Sequence, residues 1–380
     1  MEEKTVKMPK CDKLIVSSSP HIHTHNSISK IMFKVIIALV PAIAAGIFFF
    51  GMSAVKTLVF TSVFCLFAEA LWCFIAKTPV IRTLLDGSAL VTGVILGLNF
   101  NPGTPWHISL IGAFLAIWLG KQIFGGLGNN PFNPAVVARV ALLISFPGVM
   151  TIYTPTSVMV ETAQHRITQN ESYCKTFFSA ADWQQLQESV SKKNNIDAVG
   201  CATPLSIVNE IPREAELNRT NIFASVDNRT AWRNYFLGNQ GGAIGETSTL
   251  ALLLGGILLL IWQLINWRVP VFFIGTVFAV TGIINFFYPG LTPSPVFHIL
   301  TGGLMLGAFF MATDMVTSPV TNRGCVLFGI GCGVITSVIR IWGNYPEGIS
   351  FAILFMNALV PFIDRLFIRI PFGSLKKKEA

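Results

Sequence analysis

The sequence predicts an all-helical protein that crosses a membrane about ten times, in two five-helix repeats of inverted orientation with a long polar insert between them. Three observations lead there. Of 380 residues, 52% are hydrophobic and only 12% charged, against roughly a quarter charged in an ordinary soluble domain. The polar residues are gathered into a head, a tail, short connectors and one insert, which leaves uncharged stretches suited to a hydrocarbon core about 30 Å thick. Finally, two short motifs recur in chain order. Gly128-Asn129-Asn130-Pro131 is echoed by Gly343-Asn344-Tyr345-Pro346, and Gly93 with Gly97 by Gly303 with Gly307, at offsets of 215 (343 − 128) and 210 (303 − 93) residues.

Taken in order, residues 1–30 form a polar head. It is too long and too polar for a signal peptide's charged region, and no small-residue cleavage site follows the first apolar run, so the first span is expected to stay as an anchor. Spans are expected near 31–51, 54–76, 84–100, 106–124 and 133–151, then near 247–266, 269–288, 296–313, 323–342 and 348–368. The third and eighth are short and interrupted by glycine, which suits tilted or broken helices. The domain plan is thus a head (1–30), a first repeat (31–151), an insert (152–246), a second repeat (247–368) and a basic tail (369–380).

Charge placement orients the chain. Lys4, Lys7, Lys10, Lys13 and Lys30 in the head, Lys77 and Arg82, Lys121, Arg268 and Arg323 in alternate connectors, and Arg365, Arg369 and Lys376 to Lys378 at the end share one side. By the positive-inside rule that side is cytoplasmic, which calls for an even number of spans and puts 152–246 outside. Two repeats of five spans must then be inverted, the arrangement that builds a binding site or ion route near the midplane. The net charge of +8 forms no continuous basic stripe, so membrane lipid rather than nucleic acid is the expected surroundings.

Seven cysteines include no Cys-x-x-Cys pair, which argues against a zinc or iron–sulfur site held by this chain alone. Cys65, Cys73, Cys325 and Cys332 fall in apolar runs and read as small buried hydrophobes. Cys174 and Cys201 share the insert, where a disulfide or two free thiols are both open.

Several stretches carry a resemblance. These are Ser18-Ser19-Pro20 through His25 with Ile31-Met32, then Lys121 to Gly128 running into Asn130-Pro131-Phe132-Asn133-Pro134-Ala135. Gly245-Glu246-Thr247-Ser248 and Thr321-Asn322-Arg323-Gly324 complete the set. Together they resemble a family of membrane proteins with two branches. One is the D subunit of the Rnf complex, an ion-translocating ferredoxin–NAD oxidoreductase; the other is the B subunit of the sodium-translocating NADH:quinone oxidoreductase. The short head with Ser-Ser-Pro favours the Rnf branch.

The resemblance implies an FMN joined through its phosphate to a threonine in a motif Asp-x-x-Ser-x-Ala-Thr. Here the motif reads Asp197-Ala198-Val199-Gly200-Cys201-Ala202-Thr203, followed by Pro204, so Thr203 is the implied anchor. Gly200 stands where the family has serine. No base neighbours the hydroxyl in this segment, so a separate flavin transferase is implied. So are an FMN-bearing extracytoplasmic subunit, iron–sulfur membrane subunits, and a noncovalent riboflavin whose ligands the sequence leaves unassigned. The implied function is electron transfer coupled to Na⁺ or H⁺ movement, in a bacterial inner membrane with both termini cytoplasmic.

Further residues have two readings. Gly245, Glu246, Thr247 and Ser248 open the sixth span, either as an anion site for the flavin phosphate or as an ordinary N-terminal cap. Glu69, well inside the second span, is an ion-coupling candidate or a partner for a nearby Lys or Arg, because an unpaired carboxylate in hydrocarbon is costly. Arg139 is expected to snorkel to the interface, and the glycines at 125, 126 and 128 to serve helix packing. A rival function is a passive channel or transporter for a small polar solute, which would not need the Asp197–Thr203 motif.

Overall fold

The computed structural model describes residues 27–151, 153–156, 203–210, 223, 226–343, 345 and 347–367. The described part is built from helices, with Tyr153 a single bridge residue. The elements are α1 (Ile28–Phe50), α2 (Met52–Ile75), α3 (Val80–Leu84), α4 (Ser88–Leu98), α5 (Trp106–Phe114), α6 (Pro134–Ser145) and α7 (Pro147–Thr151). Then come α8 (Pro204–Glu210), α9 (Arg229–Leu237), α10 (Thr249–Ile261), α11 (Arg268–Phe287), α12 (Pro295–Leu300), α13 (Leu304–Leu306), α14 (Asn322–Trp342) and α15 (Ile349–Leu366).

Among the described residues, six segments are long and apolar enough to cross a membrane: α1, α2, Trp106–Phe124, α11, α14 and α15. Ser88–Leu98, Pro134–Ser145 and Thr249–Ile261 are shorter apolar helices. Large side chains such as Phe48, Phe74, Ile81 and Phe286 stand exposed on the outer surface, as expected where the solvent is hydrocarbon rather than water.

Local sequence sets the helix starts. Ser27, Asn133, Ser248, Ser294 and Thr321 each cap a helix by accepting from a backbone N–H in its first turn, the usual work of short hydroxyl and amide side chains. Pro134 and Pro295 take first-turn positions, where no N–H is needed.

Of the two runs expected to be tilted or broken, the third forms one continuous short helix, α4. The eighth is broken: α12 ends before Gly302, which takes φ +68°, and α13 then runs into a π-helical turn over Gly307–Met311. A second π turn, Leu115–Leu119, extends α5. Gly125, Gly126 and Gly128 take φ of 106°, 92° and 98°. They serve a left-handed turn rather than the helix packing expected of them.

Packing is close because small residues line the crossings. A Cβ on Gly255 of α10 would strike the Ala38 carbonyl of α1, and one on Gly93 of α4 would lie 2.7 Å from Ser62 Cα of α2. In α14, one on Gly329 would lie 2.9 Å from the Val269 carbonyl oxygen of α11. Asn133 ties the first group of helices to the second by donating to the Met311 carbonyl at 3.1 Å. The last stretch of the expected insert is part of this body: Ile244 N–H donates to the Phe100 carbonyl at 3.0 Å, and Ala243 and Ile244 are fully buried. Cys65, Cys73, Cys325 and Cys332 are free and buried, as their apolar runs predict.

Candidate functional site

Thr203 is the N-cap of α8. Its Oγ1 accepts from Ser206 N–H at 3.1 Å, its hydroxyl donates to Ser206 Oγ at 3.2 Å, and Ser206 Oγ–H donates to the Thr203 carbonyl at 2.9 Å. Thr203 is 6% exposed. Pro204 at the first helical position has no N–H to leave unpaired, so local sequence accounts for the turn. Leu205 and Val208 anchor α8 in a separate apolar cluster with Val226, Tyr235 and Phe297. Asp197 and Ala202 lie outside the described residues.

Beneath α8 is the break between α12 and α13. A Cβ on Gly302 would lie 2.8 Å from both Leu205 Cδ1 and an Arg340 terminal nitrogen, and one on Gly303 would lie 3.0 Å from Glu246 Oε1. The threonine-bearing helix and the Glu246 carboxyl thus lean on the same pair of glycines. Arg340 is buried and donates to the His298 carbonyl at 2.6 Å and the Thr301 carbonyl at 3.1 Å. It thereby holds the orphan C-terminal carbonyls of α12, where a cation is favoured.

Arg139 does the same for α4, donating to the Asn99 carbonyl at 2.5 Å. It does not snorkel to the interface: it is 1% exposed and forms an ion pair with Glu347 at 2.7 Å. Tyr153 Oη–H donates to the other Glu347 oxygen at 2.6 Å. Glu246 and Glu347 lie close enough for their charges to interact. Burial first, then the Glu347 carboxylate, hold the Glu246 carboxyl well above the usual glutamate range. Burial also pushes Glu347 up, but Arg139 and the Tyr153 hydroxyl outweigh it and hold Glu347 below that range.

The four residues opening α10 have defined partners. Gly245 N–H donates to the Leu98 carbonyl at 2.7 Å and Glu246 N–H to the Ala243 carbonyl at 2.9 Å. Thr247 Oγ1–H donates to the Ile244 carbonyl at 3.2 Å, and Ser248 Oγ accepts from Ala251 N–H at 3.3 Å. The cap reading accounts for these bonds, and the first two N–H groups face inward.

The other end of α4 carries a second polar centre. Lys121 Nζ–H donates to Glu69 Oε1 and, at 2.7 Å, to Ser88 Oγ, while Gln122 Nε2–H donates to Glu69 at 3.1 Å. Asp86 Oδ1 accepts from Ser88 N–H at 2.7 Å. Glu69 is fully buried and its Oε2 has no hydrogen-bond partner among the described residues. Lys121 also lines a partly open cavity whose walls include Met32, Ile95, Leu259, Phe309 and Asp314. Sequence reasoning singles out Glu69 but misses Lys121 as its partner, and misses Glu347 and Tyr153. The one visible signal is an arginine in the middle of an apolar helix.

Known proteins match nearly the whole chain. The NQR2, RnfD, RnfE family matches residues 15–373. Over 363 residues the chain is 38% identical to the D subunit of the proton-translocating ferredoxin:NAD(+) oxidoreductase complex of Clostridium ljungdahlii, covering 94% of this chain and 96% of that one. It is 40% identical over 343 residues to the D subunit of the ion-translocating oxidoreductase complex of Stutzerimonas stutzeri, covering 90% and 91%. To the D subunit of the Na(+)-translocating ferredoxin:NAD(+) oxidoreductase complex of Acetobacterium woodii it is 37% identical over 368 residues, covering 97% and 98%.

Proposed function

This chain belongs to the NQR2, RnfD, RnfE family, and on that premise we propose that it is the electron-carrying D subunit of an Rnf-type ion-translocating oxidoreductase, with FMN bound covalently to Thr203. It is a multi-pass membrane protein and one component of a translocating oxidoreductase. Ten spans in two inverted repeats, termini in the cytoplasm of a bacterial inner membrane and Thr203 on the far side complete the reading. The insertion of three short apolar helices and a broken one among the six long spans supports that count.

The observation that carries the flavin assignment is the cap at Thr203. An esterified Oγ1 keeps the lone pair that accepts Ser206 N–H and loses only the proton it donates to Ser206 Oγ. Attachment therefore leaves the start of α8 intact. Asn209 of the same helix has a buried Nδ2 with no partner among the described residues. When bound, FMN would carry electrons one or two at a time. This chain's part is to hold it at a fixed place above the α12–α13 break and, through Arg340, to keep positive charge near it.

Glu69 with Lys121 is the proposed ion-coupling centre, supported by the unpartnered Glu69 Oε2, which has capacity for a proton or a cation. The cavity beside Lys121 is the place proposed for the noncovalent riboflavin, with apolar walls for a ring system and Lys121 and Asp314 for its polar edge. Partners are the other Rnf subunits, among them an FMN-bearing extracytoplasmic subunit and iron–sulfur membrane subunits, with a flavin transferase for maturation.

The test is direct. Full-length protein coexpressed with its transferase should show flavin fluorescence on a denaturing gel, and Thr203→Val should show none. Absence of fluorescence in the unmutated chain would instead favour the solute-channel reading, and fluorescence surviving the substitution would move the anchor elsewhere.

A further inference from the structure

We propose that Asp86 and Ser88 feed protons to Glu69 through Lys121, so that the ion taken up at this centre is a proton. The inference rests on the ion-coupling reading of Glu69 and deepens it by naming the ion and the residues that deliver it.

The four side chains form one hydrogen-bonded chain drawn from three separate stretches of sequence. Asp86, in the turn before α4, is partly exposed. Its Oδ1 accepts from the Ser88 backbone N–H at 2.7 Å and from the Ser88 hydroxyl at 2.5 Å. Ser88 Oγ in turn accepts from Lys121 Nζ–H at 2.7 Å, and Lys121 donates also to Glu69 Oε1. Ser88, Lys121 and Glu69 are all buried. The chain thus runs from a carboxyl that meets water to one that does not. Each member carries either a proton to pass on or a lone pair that takes one. At the inner end, Glu69 Oε2 is buried with no hydrogen-bond partner among the described residues. Carboxyl groups set inside a membrane protein mark such relays.

Two features favour a proton over a metal cation. The Lys121 ammonium already holds the position beside Glu69 where a cation would sit, and a hard metal cation needs a shell of oxygen ligands. Gln122 also presents an N–H to Glu69 Oε1, at 3.1 Å, a donor that cannot ligate a metal. A proton needs only a lone pair, which Oε2 has. The transfer balances. Lys121 gives an N–H proton to Glu69, breaking one N–H bond and making one O–H bond. The amine then takes the Ser88 hydroxyl proton as the Ser88 oxygen takes one from the Asp86 carboxyl, which has drawn it from water. One proton has moved from water to Glu69, no electron moves, and Lys121 and Ser88 end as they began.

The experiment is time-resolved infrared spectroscopy of the assembled complex in detergent, triggered by reduction, with rates normalised to flavin content. A protonated-carboxyl band that shifts in D₂O and is missing in Glu69→Gln reports arrival of the proton at Glu69. Ser88→Ala should slow the rise of that band by about a hundredfold, and Ser88→Thr, which keeps a hydroxyl, should restore it. Asp86→Asn should slow it comparably, and added formate, a small weak acid that reaches the exposed position, should restore the rate. A band that rises at the unmutated rate in Ser88→Ala or Asp86→Asn would overturn the relay. No Glu69 band on reduction would overturn the proton assignment, whereas equal pumping in Glu69→Gln would overturn the coupling reading beneath it.

Discussion

Two buried polar centres sit at opposite ends of one short helix, and they are built differently. α4 is 11 residues long, so about 16 Å separates its ends. At its start, Glu69, Ser88, Lys121 and Gln122 all come from the first group of helices. At its finish, Arg139 of the first group and Tyr153 at the start of the insert meet Glu347 of the second group. The first centre can act without disturbing the contact between groups, whereas the second is part of that contact. The cations differ as well. Lysine presents a compact ammonium with rotatable donors, whereas arginine presents a planar fork that reaches a carbonyl and a carboxylate together.

The largest expected effect tests the arginine end. Glu347→Ala leaves the Arg139 charge buried beside a single carbonyl and should cost about 3–5 kcal/mol of stability, read as a lower thermal midpoint. A loss under about 1 kcal/mol would mean that Arg139 has another counter-charge. Glu69→Gln should cost less, about 1–3 kcal/mol, because Lys121 keeps Ser88 as a partner. In the assembled complex this substitution should lower ion pumping more than electron transfer. Equal pumping in the variant would remove Glu69 from the coupling route. The smallest effect sharpens the packing argument: Gly303→Ala must push the Glu246 carboxyl by a few tenths of an ångström, at about 1 kcal/mol. An unchanged midpoint would show that the Glu246 carboxyl has room to move.

Much of the scaffold is legible in one dimension. The starts of α6, α10, α12 and α14 fall at Asn133, Ser248, Ser294 and Thr321, because a capping side chain bonds within three residues of itself. Thr203 reads the same way, since its cap partner is Ser206. Arg139 is misread from sequence because its reach to Glu347 spans 208 residues, and an arginine in an apolar helix looks alike whether it snorkels or pairs. The glycines at 125, 126 and 128 suggest packing because residue type alone does not separate a small-residue contact from a left-handed turn.

Composition, charge placement and short-range chemistry thus determined that this chain lives in lipid and where its helices begin, while the choice of Thr203 as the proposed flavin anchor came from the family resemblance. Only the tertiary structure decided which charges meet. A buried ion must find its partner in three dimensions, because hydrocarbon offers no water in place of one. Glu347, just before a helix and otherwise unremarkable, becomes the partner of Arg139, Tyr153 and Glu246 once the two groups of helices close around α4.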